Sequence, residues 1–283
     1  MTDHTDREPD PPEQGEEDEP LRLGGMALRN GLLVHGPTHW AAAVRDKHGE
    51  IRVASGRKPR VHGVDGIPGV RGVVRLGEAF AVIPLVKKAM PAAKLPFESP
   101  AVIGVAAAAS FGGAQLRRRM RGAGGETAAA LISLAPAVFA LRGGELAQYH
   151  GVEHKAIAAY EAPDDATDAA DTDKEHDRCG SHLVAPMLAS NVAGTLLLRQ
   201  VVERPGPLAG SAVALASTAA AVEVFAWCER NSDTRTARAI RRPGFEIQRV
   251  VGTREPDERQ LEVGRAALAE ILRVEEAPAP DGR

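Results

Sequence analysis

Long apolar stretches dominate this chain between residues 101 and 228, and they decide its class. Residues 101–116, 127–141, 183–198 and 208–228 are almost free of charge and rich in alanine, with Glu223 the exception near the end of the last. The first three run to about 15 residues, short of the roughly 20 that cross a bilayer core, whereas the fourth is long enough. Upstream the pattern is different. Residues 23–56 have strand character, and the segments 40–44 and 50–53 flank the polar turn 46–49, which predicts a hairpin. A Gly- and Pro-rich loop at 63–72 then leads into a helix over 73–88, interrupted near Pro84. Beyond the last apolar stretch, 245–251 reads as a strand. Residues 256–273 read as an amphipathic helix with Leu261, Leu268, Ile271 and Leu272 on its apolar face and Thr253 or Glu255 as its cap.

These elements predict a mainly α protein: a polytopic helical membrane protein with about four short Ala-rich spans. A small β-containing cytoplasmic part is expected to form from N- and C-terminal segments, with 21–272 a single domain and 244–273 its C-terminal strand and helix. Charge refines the picture at the ends. Of the 18 residues 2–19, nine are acidic and one is arginine, so 1–20 is expected to be a disordered tail and not a secretory signal. Residues 274–283 are expected to be frayed. Lysine and arginine accumulate on the cytoplasmic side of membrane proteins. With four spans, Lys87, Lys88, Lys94, Arg142, Lys155, Lys174, Arg178, Arg230, Arg235, Arg238, Arg241 and Arg242 share one side. Arg117, Arg118, Arg119, Arg121, Arg199 and Arg204 share the other. The twofold bias predicts a multi-pass protein of the cell (inner) membrane, in contact with lipid, with the loop 142–182 and both termini cytoplasmic. Two cysteines, Cys179 and Cys228, make no disulfide framework and fit a reduced compartment. The net charge of -3 and the absence of aromatics between the arginines exclude a nucleic-acid surface.

Candidate chemistry lies in that loop. The run Tyr149-His-Gly-Val-Glu-His-Lys155 places His150 and His154 on one face of a helix expected over about 148–160, where two imidazoles can share a metal ion. Glu153 points to nearly the same side and is the candidate general base. Two ligands are too few, and His176 and Cys179 downstream are the leading partners, with His182 a weaker one. The acidic density of 164–177 lacks the spacing of a calcium loop and reads as a solvated segment. His35 and His39 stand four apart across Gly36 and Pro37 and read as loop residues. There is no phosphate-binding loop, dinucleotide fingerprint or serine elbow.

Several blocks resemble the YqhQ-like family, domain of unknown function 1385, a group described as metal-dependent enzymes of bacterial membranes. They are Gly24-Gly25, the runs 40–44 and 49–51, Arg71-Gly-Val73, the 149–155 motif with Tyr160-Glu161, His176-Asp-Arg-Cys-Gly180, Gln248-Arg249, 253–257 and 260–263. The resemblance implies several membrane helices and adds Arg178 and Glu229 to the site, Glu229 as a distant carboxylate ligand. Asn30, Met26 and Asp177 stand where the family has glutamate, glutamine and proline. The expectation is a membrane-embedded hydrolase using a divalent metal, Zn by donor type, on an H-x-x-E-H helix. Glu153 would be catalytic, with His150, His154, His176, Cys179 and Glu229 the ligand candidates and the substrate unspecified. The alternative is a non-catalytic regulatory, assembly or ion-sensing factor with a structural metal site and a membrane-protein partner.

Overall fold

The computed structural model describes residues 21–64, 66–120, 122–142, 144–162, 167–202 and 205–276. The expected acidic tail 1–20 and residues 277–283 lie outside these. Four antiparallel strands, β1 (Gly24–Leu28), β2 (Gly31–His35), β3 (His39–Arg45) and β4 (Ile51–Arg57), form one meander in the order β1-β2-β3-β4. The hairpin predicted around 46–49 is β3–β4, its turn held by the Asp46 carboxylate accepting from the N–H groups of His48 and Glu50. β2 and β3 are buried on both faces, which is why their sequences are nearly unbroken apolar runs.

One face of the sheet carries Leu28, Leu33, Trp40, Ala42 and Val44 against Val82 and Val86 of α1 (Val70–Ala89). The other carries Ala27, Leu32, Val34, Ala41 and Ala43 against α5 (Glu145–Glu161) and α9 (Glu258–Glu276). The strand expected at 245–251 is not one. It is the end of α8 (Arg235–Ile247) followed by a π-helical turn, Gln248–Gly252. Its buried residues, Gly244, Gln248 and Gly252, recur every four positions, and an added Cβ at Gly244 would lie 2.6 Å from the His182 Cα. Packing against that segment overrides the local β preference. The β part is therefore N-terminal alone, and the C-terminal segment joins it as a helix. α9 is capped by Asp257 and Gln260, each side chain bonding the other's backbone N–H at 2.9 Å, so the cap is neither Thr253 nor Glu255. Its last turn is ordered as far as Glu276, with the Glu275 carboxylate accepting from Thr38 and His39 of the β2–β3 turn.

The remaining helices are α2 (Pro100–Arg119), α3 (Ala123–Ile132), α4 (Ala135–Leu141), α6 (Val184–Val201) and α7 (Pro207–Arg230). Three segments are long and apolar enough to cross a membrane: Ala123–Leu141, Gly180–Val201 and Leu208–Arg230. They match three of the four expected spans. α2, the other, is long enough but ends in Arg117, Arg118 and Arg119 and is diluted by glycine and alanine. α6 buries none of its residues, and Leu197, Leu208 and Leu215 stand exposed. Such apolar, little-buried helices have a composition compatible with membrane spans. Buried Glu126 of α3 ties the far end of this group together, paired with Arg117 of α2 at 2.9 Å and Arg199 of α6 at 2.7 Å. From there α6 runs back to the segment holding Cys179, and α4 ends beside α5.

His35, at the end of β2, has its pKa pushed down to about 4, first by burial and then by the Lys58 charge. Above pH 6.5 it is neutral in folded and unfolded chains alike. Below that the unfolded chain takes up a proton that the folded one refuses until about pH 4, so stability falls across the window 6.5 to 4, by roughly 3 kcal/mol from this residue. His35→Gln should leave the pH 7.5 melting temperature within a few degrees and flatten its decline toward pH 4.5. Thermal unfolding of detergent-solubilised protein at both pH values checks this.

Candidate functional site

α5 starts at Gly144, whose φ of 90° only glycine adopts freely. Alanine, leucine and glutamate sustain it. Ten of its residues are buried, from Leu146 to Ile157, because the sheet, α9 and the loop after the helix enclose it. A helix so enclosed fixes its side chains well. Gly151, inside the motif, is there for space: an added Cβ would sit 2.4 Å from the Arg254 carbonyl oxygen. The 252–256 segment can therefore lie directly on α5, and Arg254 N–H donates to the Ala147 carbonyl.

That contact brings the Gly252 carbonyl to His150 Nδ1 at 2.8 Å. The Lys174 carbonyl meets His154 Nδ1 at 2.6 Å. A carbonyl only accepts, so both Nδ1 atoms carry the proton and both Nε2 atoms present a lone pair. His154 Nε2 is buried and has no hydrogen-bond partner. Burial, helped by the neighbouring His150, pushes the His154 pKa down to about 3, which keeps the ring neutral. Cys179 Sγ lies 3.5 Å from His150 Nε2. Among the described residues, His150, His154 and Cys179 form a group able to hold a metal, with donor atoms all within 4.8 Å of one another. Without a cation, burial pushes the Cys179 thiol up to about 11; a divalent ion would reverse that and hold the thiolate.

Glu153 is buried beside them, and burial raises its pKa while the His150 charge opposes the rise. It packs on β1 at Gly25, where an added Cβ would be 2.7 Å from Glu153 Cδ. His176 is adjacent, its ring centroid 5.8 Å from that of His154. Its nitrogens are otherwise used: Nδ1 accepts from Arg178 N–H at 3.2 Å, and Nε2 faces Glu161 at 3.4 Å. Glu229 is not in the group; its charge acts on Arg178, which pairs with Glu161. His182 is committed elsewhere, to the Arg241 carbonyl and to Gln248. His39 holds to Glu275 and Thr38.

Gln248 has no sequence motif of its own, although it stands in one of the blocks that carry the family resemblance. Fully buried, it accepts from His176 N–H and donates to the His176 carbonyl and the Ser181 hydroxyl, clamping the segment around Cys179. The π-helical turn thus supplies both that clamp and the Gly252 carbonyl, in keeping with the frequency of such turns at functional sites. The described part of the acidic segment is packed, not free. Lys155 Nζ donates to the Ala170 and Thr172 carbonyls, and this sets the chain that carries Lys174.

A cavity of about 740 Å³ opens from this cluster and is walled mainly by apolar groups, among them Phe80, Phe97, Pro136, Ala140 and Ile157.

Residues 144–274 match the family described as protein of unknown function (DUF1385). The matched stretch contains His150, Glu153, His154 and Cys179 together with both carbonyls that orient the histidines; the sheet and α1 to α4 lie outside it. No curated protein and no solved structure matches the chain.

Gly151→Ala should press the 252–256 segment off α5 and move the Gly252 carbonyl from His150. Partners of this kind are worth about 10- to 100-fold in metal affinity. We expect zinc affinity, titrated against a chromophoric chelator, to fall by about tenfold or more while His150 and His154 remain in place.

Proposed function

We propose that this protein is a metal-dependent hydrolase of a membrane, with His150, His154 and Cys179 as the protein ligands of one divalent ion. Imidazole and thiolate donors suit zinc. The observation that carries the reading is the donor count together with its setting. Three donors, one of them an orphaned buried nitrogen, sit at the end of a cavity with a carboxylate alongside. Catalytic zinc sites keep three protein ligands and an open position, whereas structural sites close with four. A cation here supplies Lewis acidity and brings the pKa of a water down to roughly 7. The chain's own residues do the rest. The carbonyls of Gly252 and Lys174 hold the two rings in the tautomer that ligates. Glu153, in a dry setting that favours a shared proton, takes the proton from water and returns it to the leaving group. His176 and Arg178 line the same cavity, and the Arg178 guanidinium is the group offered to the substrate's polar atoms.

The bilayer, in this reading, crosses Ala123–Leu141, Gly180–Val201 and Leu208–Arg230, with α2 alongside them. Arg117 and Arg199 meet at Glu126 at one end of the group. Arg235, Arg238, Arg241 and Arg242 of α8 gather at the other, next to the cluster. The larger cationic set favours a cytoplasmic side for the sheet and the cluster.

Protein purified in detergent without added chelator should contain about one equivalent of a transition metal, and His150→Ala, His154→Ala and Cys179→Ser should each lose most of it. Glu153→Gln should keep the metal and the fold yet lower hydrolysis of a fluorogenic apolar peptide library by about 100-fold or more. A metal-free native protein, or a Glu153→Gln variant as active as the parent, sinks the proposal.

A further inference from the structure

The outer edge of β1 is unpaired and lies inside the functional cavity. β1 is an edge strand, bonded to β2 alone. Alternate residues of a strand point to opposite faces, and in this sheet Gly25 and Ala27 share the α5 face while Gly24 and Met26 share the α1 face. All four line one cavity, together with Glu153 from the α5 side and Phe80 from the α1 side. A single space that touches both faces of a strand must wrap around its edge.

The backbone groups at that edge can be named. β1 and β2 are joined by the two-residue loop Arg29-Asn30, so Leu28 and Gly31 are the pair closing the hairpin. In such hairpins the closing pair is hydrogen-bonded and bonded pairs recur at every second residue. Leu28, Met26 and Gly24 therefore bond to β2, and Gly25 and Ala27 direct their N–H and C=O groups outward. Arg29, next in that alternation, uses its N–H outside the sheet, on the Lys94 carbonyl at 2.9 Å. Among the described residues, no hydrogen bond is made to the outward groups of Gly25 or Ala27. Natural edge strands are usually blunted by charge, proline or a covering element. Gly-Gly-Met-Ala-Leu offers none of these, and Gly25 brings the strand backbone against Glu153.

We infer that β1 is a docking rail: an extended peptide segment with small or apolar side chains adds to it as a fifth strand, its alternate side chains filling the apolar cavity. Main-chain bonding to Gly25 and Ala27 would lay that segment beside Glu153 and the His/Cys cluster. The inference rests on the hydrolase reading for its purpose and names the substrate class of that site as peptide. The cavity volume suits a few residues of extended chain. A substrate helix, about 10 Å across, would need the groove to be open along its length.

The test uses full-length protein in phosphatidylcholine nanodiscs and a fluorophore-labelled acetyl-Ala-Val-Ala-Leu-Ala-amide, read by anisotropy with and without chelator. An added strand presents one of its two edges to β1. N-methylation of one alternate set of peptide nitrogens should therefore weaken binding by about tenfold or more, through lost hydrogen bonds, and the other set should leave it within about twofold. Ala27→Pro removes an outward N–H without touching the β1–β2 ladder and should weaken binding similarly. Should that variant fail to fold, the methylated peptides decide alone. Equal binding of both methylated sets and the parent overturns the inference. So does displacement by N-alkyl acetamides that strengthens with chain length while methylation has no effect, which would mark the cavity as an acyl-chain site. The same methylation pattern in chelator, with no stoichiometric metal found in the native protein, would leave the rail standing and remove the hydrolase.

Discussion

Two backbone carbonyls decide what this cluster can do. A histidine whose Nδ1 is free can rotate, tautomerise or protonate; one whose Nδ1–H is held by a carbonyl offers a fixed lone pair at Nε2. His150 and His154 are both held in this way, by Gly252 and Lys174. The carbonyls come from segments far apart in sequence, so much of the fold around α5 serves to deliver them. Gly151 lets the chain after the π-helical turn lie on α5, and Lys155 gathers the segment leading to Lys174. Leaving His154 Nε2 buried and unbonded costs about 1–3 kcal/mol in the empty site. A bound cation would recover that cost, so binding and folding are coupled here.

The same geometry separates the histidines that the sequence presents as equivalents. His176 and Cys179 lie in one short run and both read as partners for the helix pair. Their fates differ because of Gln248 and Glu161. Gln248 pins the backbone at His176, Glu161 faces its Nε2, and the Arg178 N–H occupies its Nδ1, which leaves Cys179 to approach His150. Glu229 sits on a helix that ends near the site, yet Arg178 stands as its electrostatic partner.

How much was legible follows from the range of the interactions. His150, Glu153 and His154 could be read directly, since spacings of three and four fix a common face once a helix is granted. The β3–β4 hairpin and α9 were equally plain, because turn chemistry and periodicity are local. The 245–251 segment was misread, since Phe245, Ile247, Val250 and Val251 look like a strand until Gly244 and Gln248 are seen to pack on the segment around His182. The orienting carbonyls could not have been found. Every residue has one, and no side chain announces which will be used. Three of the four apolar stretches stand as membrane-crossing candidates in the expected order, and 101–116 does not. The role of Glu126 in joining α2, α3 and α6 was not readable, because its partners lie on other helices.

The family match spans 144–274 and so contains the donors, the carboxylate and the orienting carbonyls, but not β1 or most of the apolar wall. Chemistry and binding surface are thus drawn from different parts of the chain, and at the site they meet where Glu153 lies on Gly25. That contact constrains both partners. Any side chain at 25 would displace the carboxylate, and the carboxylate in its present place admits only glycine at 25. A sheet laid against α5 also buries one wall of the cluster, and burial there keeps the His154 ring neutral and the carboxyl of Glu153 easily protonated. The N-terminal sheet therefore does more than cover apolar surface: by excluding water it sets the protonation states on which the site's chemistry would run.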